Sequence, residues 1–322
     1  MIIYKLGSKG EEVAKIQEEL KSLGLYKGPI DGDFGGGTEA GVRAFQRTKG
    51  LDVDGKVGPK TWRALFGSKI PKPSFHSKDL DHRCLALTGT FETGSAPPDC
   101  FCGLSGDFDG QGISFGVLQW NLGQGSLQPL LRDMIERHAQ IVSDIFESHF
   151  DILVEALDSN KTGQEELMSF ARAIQHPVTH KVFEPWKGMA RELGRTEEFQ
   201  KIEVENSTRL FNSAKSKCQE YGLWSERGVA LMFDILVQNG GISNLVKAVI
   251  LKDFSTMAQG LAPEDSEVRK MVIIANRRAE AANPRWIDDV RSRKLCIARG
   301  EGAVHGIPFN LDEQFGIGLK RS

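Results

Sequence analysis

Four carboxylates stand in a stretch of this chain that holds no basic residue. Glu92, Asp99, Asp107 and Asp109 all fall between Cys84 and Leu131, 48 positions without a Lys or Arg. At the chain's average of 41 basic residues in 322, such a window should carry roughly six. Glu92 closes the apolar run Leu85-Ala-Leu-Thr-Gly-Thr-Phe-Glu92, which reads as the end of a helix. An acid there faces the negative end of the helix dipole, and among apolar neighbours its proton should be held more tightly. A carboxyl of that kind suits a general acid that carries a proton at neutral pH. Asp109-Gly-Gln-Gly112 offers a second carboxylate on a tight turn. Folded toward Glu92, it would complete the pair that hydrolyses a glycosidic bond. One acid protonates the leaving oxygen, and the other activates water or stabilises the oxocarbenium-like sugar. Plainer alternatives stand beside these readings: a solvated helix-end Glu92 and an ordinary Asp-Gly turn. Asp107, two residues earlier, could also take the role of Asp109.

Ser114, Gln119, Trp120 and Asn121 follow closely and are candidate sugar contacts, with hydroxyl and amides for N-acetyl groups and an indole face for a ring. Trp120 reads equally well as core. Cys84, Cys100 and Cys102 lack a convincing fourth ligand, so neither a metal nor any other cofactor is expected. The seven histidines form no HExxH and the serines no GxSxG, which leaves zinc-dependent and serine-nucleophile hydrolysis unsupported. His176 and His180 read as surface residues of a loop.

The elements that must position these groups are mostly helices. Residues 1–67 form a unit with an internal repeat: Ile30-Asp-Gly-Asp-Phe-Gly-Gly-Gly-Thr38 returns as Val53-Asp-Gly-Lys-Val-Gly-Pro-Lys-Thr61. Asp-Gly supplies a tight turn, and each Thr is an expected helix N-cap. Helices are expected over 39–48 (Val42 and Phe45 inward) and 62–66. Another covers 11–23, where Val13, Ile16, Leu20 and Leu23 share one face. Residues 68–78, with two prolines and no periodicity, read as a linker. From 79 to 322 helices are expected near 79–88, 127–157, 163–175, 196–221, 225–238, 264–282 and 284–298. Only the glycine-rich window 91–121 breaks the pattern, as a small irregular hairpin.

Apolar residues make up 40% and charged residues 26% of the chain, the ordinary balance of a globular protein. The net charge of -2 and the absence of a basic run argue against nucleic-acid binding. Five cysteines without framework spacing argue against a disulfide-built scaffold. No run approaches the length of a membrane span, and the start lacks the features of a signal peptide. A chain held in the cytoplasm is the expectation.

The doubled turn resembles the peptidoglycan-binding domain 1 family, in which paired D-G-x-F/V-G-x-x-T turns join three short helices. That resemblance implies a cell-wall targeting module, with Asp31, Phe34, Thr38, Asp54 and Thr61 near its groove. Phe91-Glu92-Thr-Gly, followed by Gly112-Ile-Ser-Phe-Gly-Val-Leu-Gln119, is similar to the lysozyme superfamily. Asp109-Gly-Gln-Gly-Ile-Ser-Phe-Gly116 is similar to the D-G-R-G-Y-T-x-G of its chitosanase-like branch, with Gln111 and Ile113 departing from the pattern. Gly222 to Gly240 resembles that branch's D-x-x-x-x-x-G helix through Asp234. Together the domains look like a modular phage endolysin. The resemblance implies a mostly α protein: a small three-helix wall-binding domain, then a larger lysozyme-like domain with a β-hairpin at its cleft. It further implies an N-acetylmuramidase acting on peptidoglycan, with Glu92 as acid and Asp109 as base. A monomer waiting in the host cytoplasm for holin-dependent release, with a Gram-negative host, completes the expectation. A lytic transglycosylase using Glu92 alone, a chitosanase and a non-catalytic wall-binding protein are the rivals.

Overall fold

The computed structural model describes residues 3–68, 74–158 and 163–322. Three helices come first: α1 (Glu11–Ser22), α2 (Gly36–Thr48) and α3 (Pro59–Phe66). Next are α4 (Leu80–Thr93) and three two-residue strands, β1 (Leu104–Ser105), β2 (Ser114–Phe115) and β3 (Trp120–Asn121). Helices α5 (Leu127–Phe146), α6 (Phe150–Leu157), α7 (Gln164–Ala173), α8 (Trp186–Arg195), α9 (Glu197–Tyr221) and α10 (Glu226–Asn239) follow. The last stretch holds α11 (Asn244–Ser255), α12 (Pro263–Glu280), α13 (Ile287–Arg299), β4 (Glu301–Val304), β5 (Ile307–Asn310) and α14 (Leu311–Phe315). The protein is mostly helical, as expected. Among the described residues no helix is long and apolar enough to cross a membrane.

Chain contacts group the residues into two units. The first holds residues up to Arg83 together with Tyr221–Leu231 and Ser243–Ser322; the second holds Cys84–Glu220 with Met232–Ile242. This grouping runs across the boundaries expected at 67 and 79, because late segments pack with early ones inside the first unit. His76 Nε2 lies 3.0 Å from the Glu313 carbonyl, and the buried Arg83 guanidinium pairs with Glu226 at 2.9 Å. Of the expected linker, residues 69–73 lie outside the described residues. Ser74–Ser77 is a 3-10 turn rather than featureless chain.

Within the first unit, α1, α2 and α3 enclose a core of Val13, Ile16, Leu20, Phe34, Val42, Phe45 and Trp62. Leu23 falls off the expected face: it caps α1 and is 47% exposed. The repeat threonines are not N-caps either. Gly35 and Gly58 take those positions, and Thr38 and Thr61 are the third residues of their helices. The antiparallel pair β4–β5 and the helices α11 and α14 were not expected from the sequence.

In the second unit β1, β2 and β3 form one antiparallel sheet in that order. Its inward side chain, Phe115, stacks on Phe199 of α9 with ring centroids 5.2 Å apart. Leu122, Leu127, Leu130, Met134, Leu193 and Ile202 belong to the same core. Burying a side chain such as Phe115 contributes on the order of 2–3 kcal/mol, so this contact fixes the sheet against α9. Helix α8, also unexpected, adds Met189 and Leu193.

Candidate active site

Glu92 lies in the last turn of α4, and Gly94 ends that helix in the left-handed region (φ 71°), its N–H bonded to the Thr90 carbonyl at 2.9 Å. The helix end expected at Glu92 is therefore present. Phe91 turns into the core, whereas Glu92, expected among apolar neighbours, is exposed.

The other three acids have different fates. Asp99 is paired with Arg195 of α8 at 2.8 Å, so the missing base of the Lys/Arg-free window arrives from 96 residues downstream. Asp107 is half-buried and holds its own loop. Its backbone N–H donates to Gln175 Oε1 at 2.8 Å, and its Oδ1 accepts from Gly112 N–H at 2.8 Å. The segment 107–112 is thereby a closed loop connecting β1 to β2. Asp109 sits at its exposed tip, with Oδ1 accepting from Gln111 N–H at 3.1 Å and no other hydrogen bond among the described residues. Gly106 allows the loop's base to lie against a neighbouring segment: a Cβ there would overlap the His180 carbonyl. His176 Nδ1 in turn accepts from Val178 and Thr179 N–H, each at 3.1 Å, which orders that segment. Phe108 is 69% exposed, with its ring against the His180 ring.

The four sugar-contact candidates all stand on the small sheet or its turn. Ser114 is in register with Asn121, and Phe115 with Trp120. Asn121 is buried, and its side-chain oxygen accepts from Gln124 N–H at 2.8 Å, fixing the turn before α5. Trp120 is half-buried at the edge of the core. Gln119 adopts φ 55°, its amide donates to the Gly116 carbonyl at 2.9 Å, and its oxygen accepts from Ser105 Oγ at 2.8 Å. Beneath this turn lies a residue the sequence reading missed. Glu203 of α9 is fully buried, and its Oε1 accepts from Val117 N–H at 2.8 Å. Burial pushes its carboxyl well above the ordinary range, against the weaker pull of the Val117 N–H. Cys84, Cys100 and Cys102 are buried and not joined in disulfides, and burial drives Cys102 up to about 12, far from the thiolate a nucleophile needs.

In the N-terminal module the doubled turn is clamped by two buried glutamines. Gln17 Nε2 lies 2.8 Å from Asp31 Oδ1, 2.9 Å from the Asp33 carbonyl and 3.2 Å from Thr38 Oγ1, while its Oε1 accepts from Asp31 and Gly32 N–H. Gln46 repeats this on Asp54 Oδ1, the Lys56 carbonyl, Thr61 Oγ1 and Gly55 N–H. The Asp33 N–H and the Gln17 amide hold the Asp31 carboxyl below its usual range. At Asp54 burial opposes the charge, but hydrogen bonds from Lys56 N–H and Gln46 outweigh it, and that carboxyl is lowered too. Asp31, Asp54 and the two threonines therefore build the turns. Phe34 is 2% exposed and belongs to the core rather than to a surface groove.

Residues 9–65 match the PG_binding_1 family model, a peptidoglycan binding domain. The chain is 44% identical over 63 residues to a spore cortex-lytic enzyme of Bacillus cereus, covering 20% of this chain and 24% of that protein. It is also 44% identical over 87 residues to the N-acetylmuramoyl-L-alanine amidase CwlM of Mycobacterium tuberculosis, covering 23% and 21%. The chain thus spans about a quarter of the length of these curated relatives. Among solved structures, the chitosanase of Bacillus subtilis MY002 aligns over 70% of this chain and 87% of its own, at 17% identity and a TM-score of 0.40. At that level the chemistry of the second unit rests on its own residues.

Proposed function

We propose that this protein is a cell-wall lytic glycosidase of the endolysin kind. Residues 9–65 dock on peptidoglycan, and tethering raises the local concentration of glycan at the catalytic unit. The second unit hydrolyses the strand between N-acetylmuramic acid and N-acetylglucosamine. Glu92 protonates the leaving oxygen, and Asp109 activates the attacking water in an inverting reaction. The observation that carries this reading is the contrast within one loop. Asp107 uses its carboxylate and N–H to close the loop, whereas Asp109 is presented to solvent at its tip. That contrast favours Asp109 over Asp107 as the second acid.

Mass spectrometry of soluble fragments from purified Gram-negative peptidoglycan tests the proposal, using wild type, Glu92→Gln and Asp109→Asn. Reducing muramic-acid ends from wild type alone are expected. Anhydro ends with Asp109→Asn still active would mean a transglycosylase that needs Glu92 only. Fragments from soluble chitosan but none from peptidoglycan would mean a chitosanase. No fragments from folded wild type on either substrate would refute the glycosidase.

A further inference from the structure

We infer that Glu203 is a positioning residue of the candidate site: from α9 it pins the β2–β3 turn, so that Gln119 and Ser105 keep their places on the sheet. The catalytic consequence rests on the glycosidase reading; the contact does not.

Two-residue strands offer few ladder hydrogen bonds, so a sheet of three such strands depends on anchors from outside. The turn it must hold is costly. Gly116 sits at φ 88° and Gln119 at φ 55°, a left-handed conformation that a non-glycine residue adopts only when its surroundings enforce it. Glu203 supplies the enforcement. Its Oε1 takes the Val117 N–H, and a Cβ on Gly116 would overlap that same oxygen. The Trp120 ring closes on Gly116 from the sheet side. With Val117 fixed, the Gly116 N–H reaches the Gly103 carbonyl at 2.8 Å, and Gln119 folds back to bond both the Gly116 carbonyl and Ser105.

The pin is a fully buried acid. Its Oε2 has no hydrogen-bond partner among the described residues, and no salt bridge reaches it there. The titratable groups that feel it are the thiols of Cys100 and Cys102, both kept protonated by burial. An ionised Glu203 would be a charge without a counter-ion, so the turn holds while the carboxyl keeps its proton and loosens when the proton leaves.

The test uses the full chain as wild type, Glu203→Gln and Glu203→Met, and reads Val117 amide exchange, kcat, KM and their pH dependence. Glutamine keeps the acceptor for Val117, so exchange within about tenfold and kcat within about threefold of wild type are expected. Its activity should lack the alkaline loss expected of wild type. Methionine removes the acceptor, so Val117 should exchange roughly 100-fold faster and kcat fall at least about tenfold with KM little changed. Unchanged Val117 exchange in a folded Glu203→Met would overturn the pin. Faster exchange with unchanged kcat would overturn the positioning role. Should Glu203→Met fail to fold, identical alkaline limbs for wild type and Glu203→Gln would also overturn it. A wild type that releases no glycan fragments defeats the glycosidase reading, while Val117 exchange still decides the pin.

Discussion

Gln17 and Gln46 in the N-terminal module, and Glu203 in the second unit, each reach from a buried helix face to the backbone of a glycine turn. The device is the same, and its chemistry differs. A glutamine both donates and accepts, and Gln17 and Gln46 use both ends of the amide on a single turn. Glu203 only accepts from its turn, and its second oxygen is left over. The glutamine clamps of the module therefore do not titrate, whereas the clamp of the hairpin does. The Asp-Gly turns differ in the same way. Asp31, Asp54 and Asp109 all accept from the N–H two residues on. Only Asp31 and Asp54 also meet a clamping glutamine; Asp109 meets no such side chain among the described residues. What lies opposite a carboxylate, rather than the dipeptide it belongs to, separates a turn-former from a candidate reagent.

The largest expected effect that sharpens this comparison is on Gln17. Gln17→Leu leaves the Asp31 and Gly32 N–H groups without their acceptor and takes from the Asp33 carbonyl one of its two donors, the other being the Gly35 N–H. It should weaken the module by roughly 3 kcal/mol, read as faster amide exchange in α1 and α2 with α9 unaffected. A loss below about 0.5 kcal/mol would mean that the turns stand without their clamp.

Next comes Glu203, through pH. Its folded pKa is raised above the ordinary 4.5, so the neutral form is favoured in the fold. Stability from that site is complete below the unfolded value and is lost as pH rises through it toward the raised one. The melting temperature of Glu203→Gln relative to wild type should therefore climb as pH increases above 4.5. A difference that stays flat with pH would remove the buried acid from the account.

Smallest, and opposite in sign, is the effect at Asp54. Its pKa is lowered from 3.8, so the contribution is present above that value and lost as pH falls below it. Acid should loosen the second turn of the module, seen as faster Gly55 and Lys56 amide exchange, once corrected for intrinsic rates. Asp54→Asn should flatten that dependence. If it does not, the carboxylate at that turn is not what holds it.

Much of the framework was legible in the residues. The faces of α1 and α2, the extents of α9, α10 and α12 and the break in pattern around the small sheet follow from apolar spacing and glycine content. Helix α8 carried its signal, since Trp186, Met189, Ala190 and Leu193 share one face, but Pro185, Gly188 and Gly194 are weak helix formers that dilute it. Helix α11 is apolar nearly all round and buries only Ile250 fully, which leaves no period to see. The β4–β5 turn uses His305 and Gly306 at φ 51° and 79°, and histidine is a weak marker of a tight hairpin. The three clamps were missed for one reason. Gln17 follows Val13 and Ile16, Gln46 follows Val42 and Phe45, and Glu203 follows Phe199 and Ile202, all at i+4 and i+1 on an apolar stripe. A polar residue inside a helix's buried stripe must have a buried partner. That rule finds all three from sequence, whereas charge counting hides Glu203 among the many acids of its helix.

The most direct test of the central claim sets the three turn aspartates side by side. Asp31→Asn, Asp54→Asn and Asp109→Asn are each measured for melting temperature and for the rate at which peptidoglycan gains reducing ends. Asp109→Asn should lose at least about 100-fold in rate at an unchanged melting temperature. The two module variants should keep the rate on solubilised glycan and shift only the stability of the module. An Asp109→Asn protein that releases reducing ends at the wild-type rate would contradict the account.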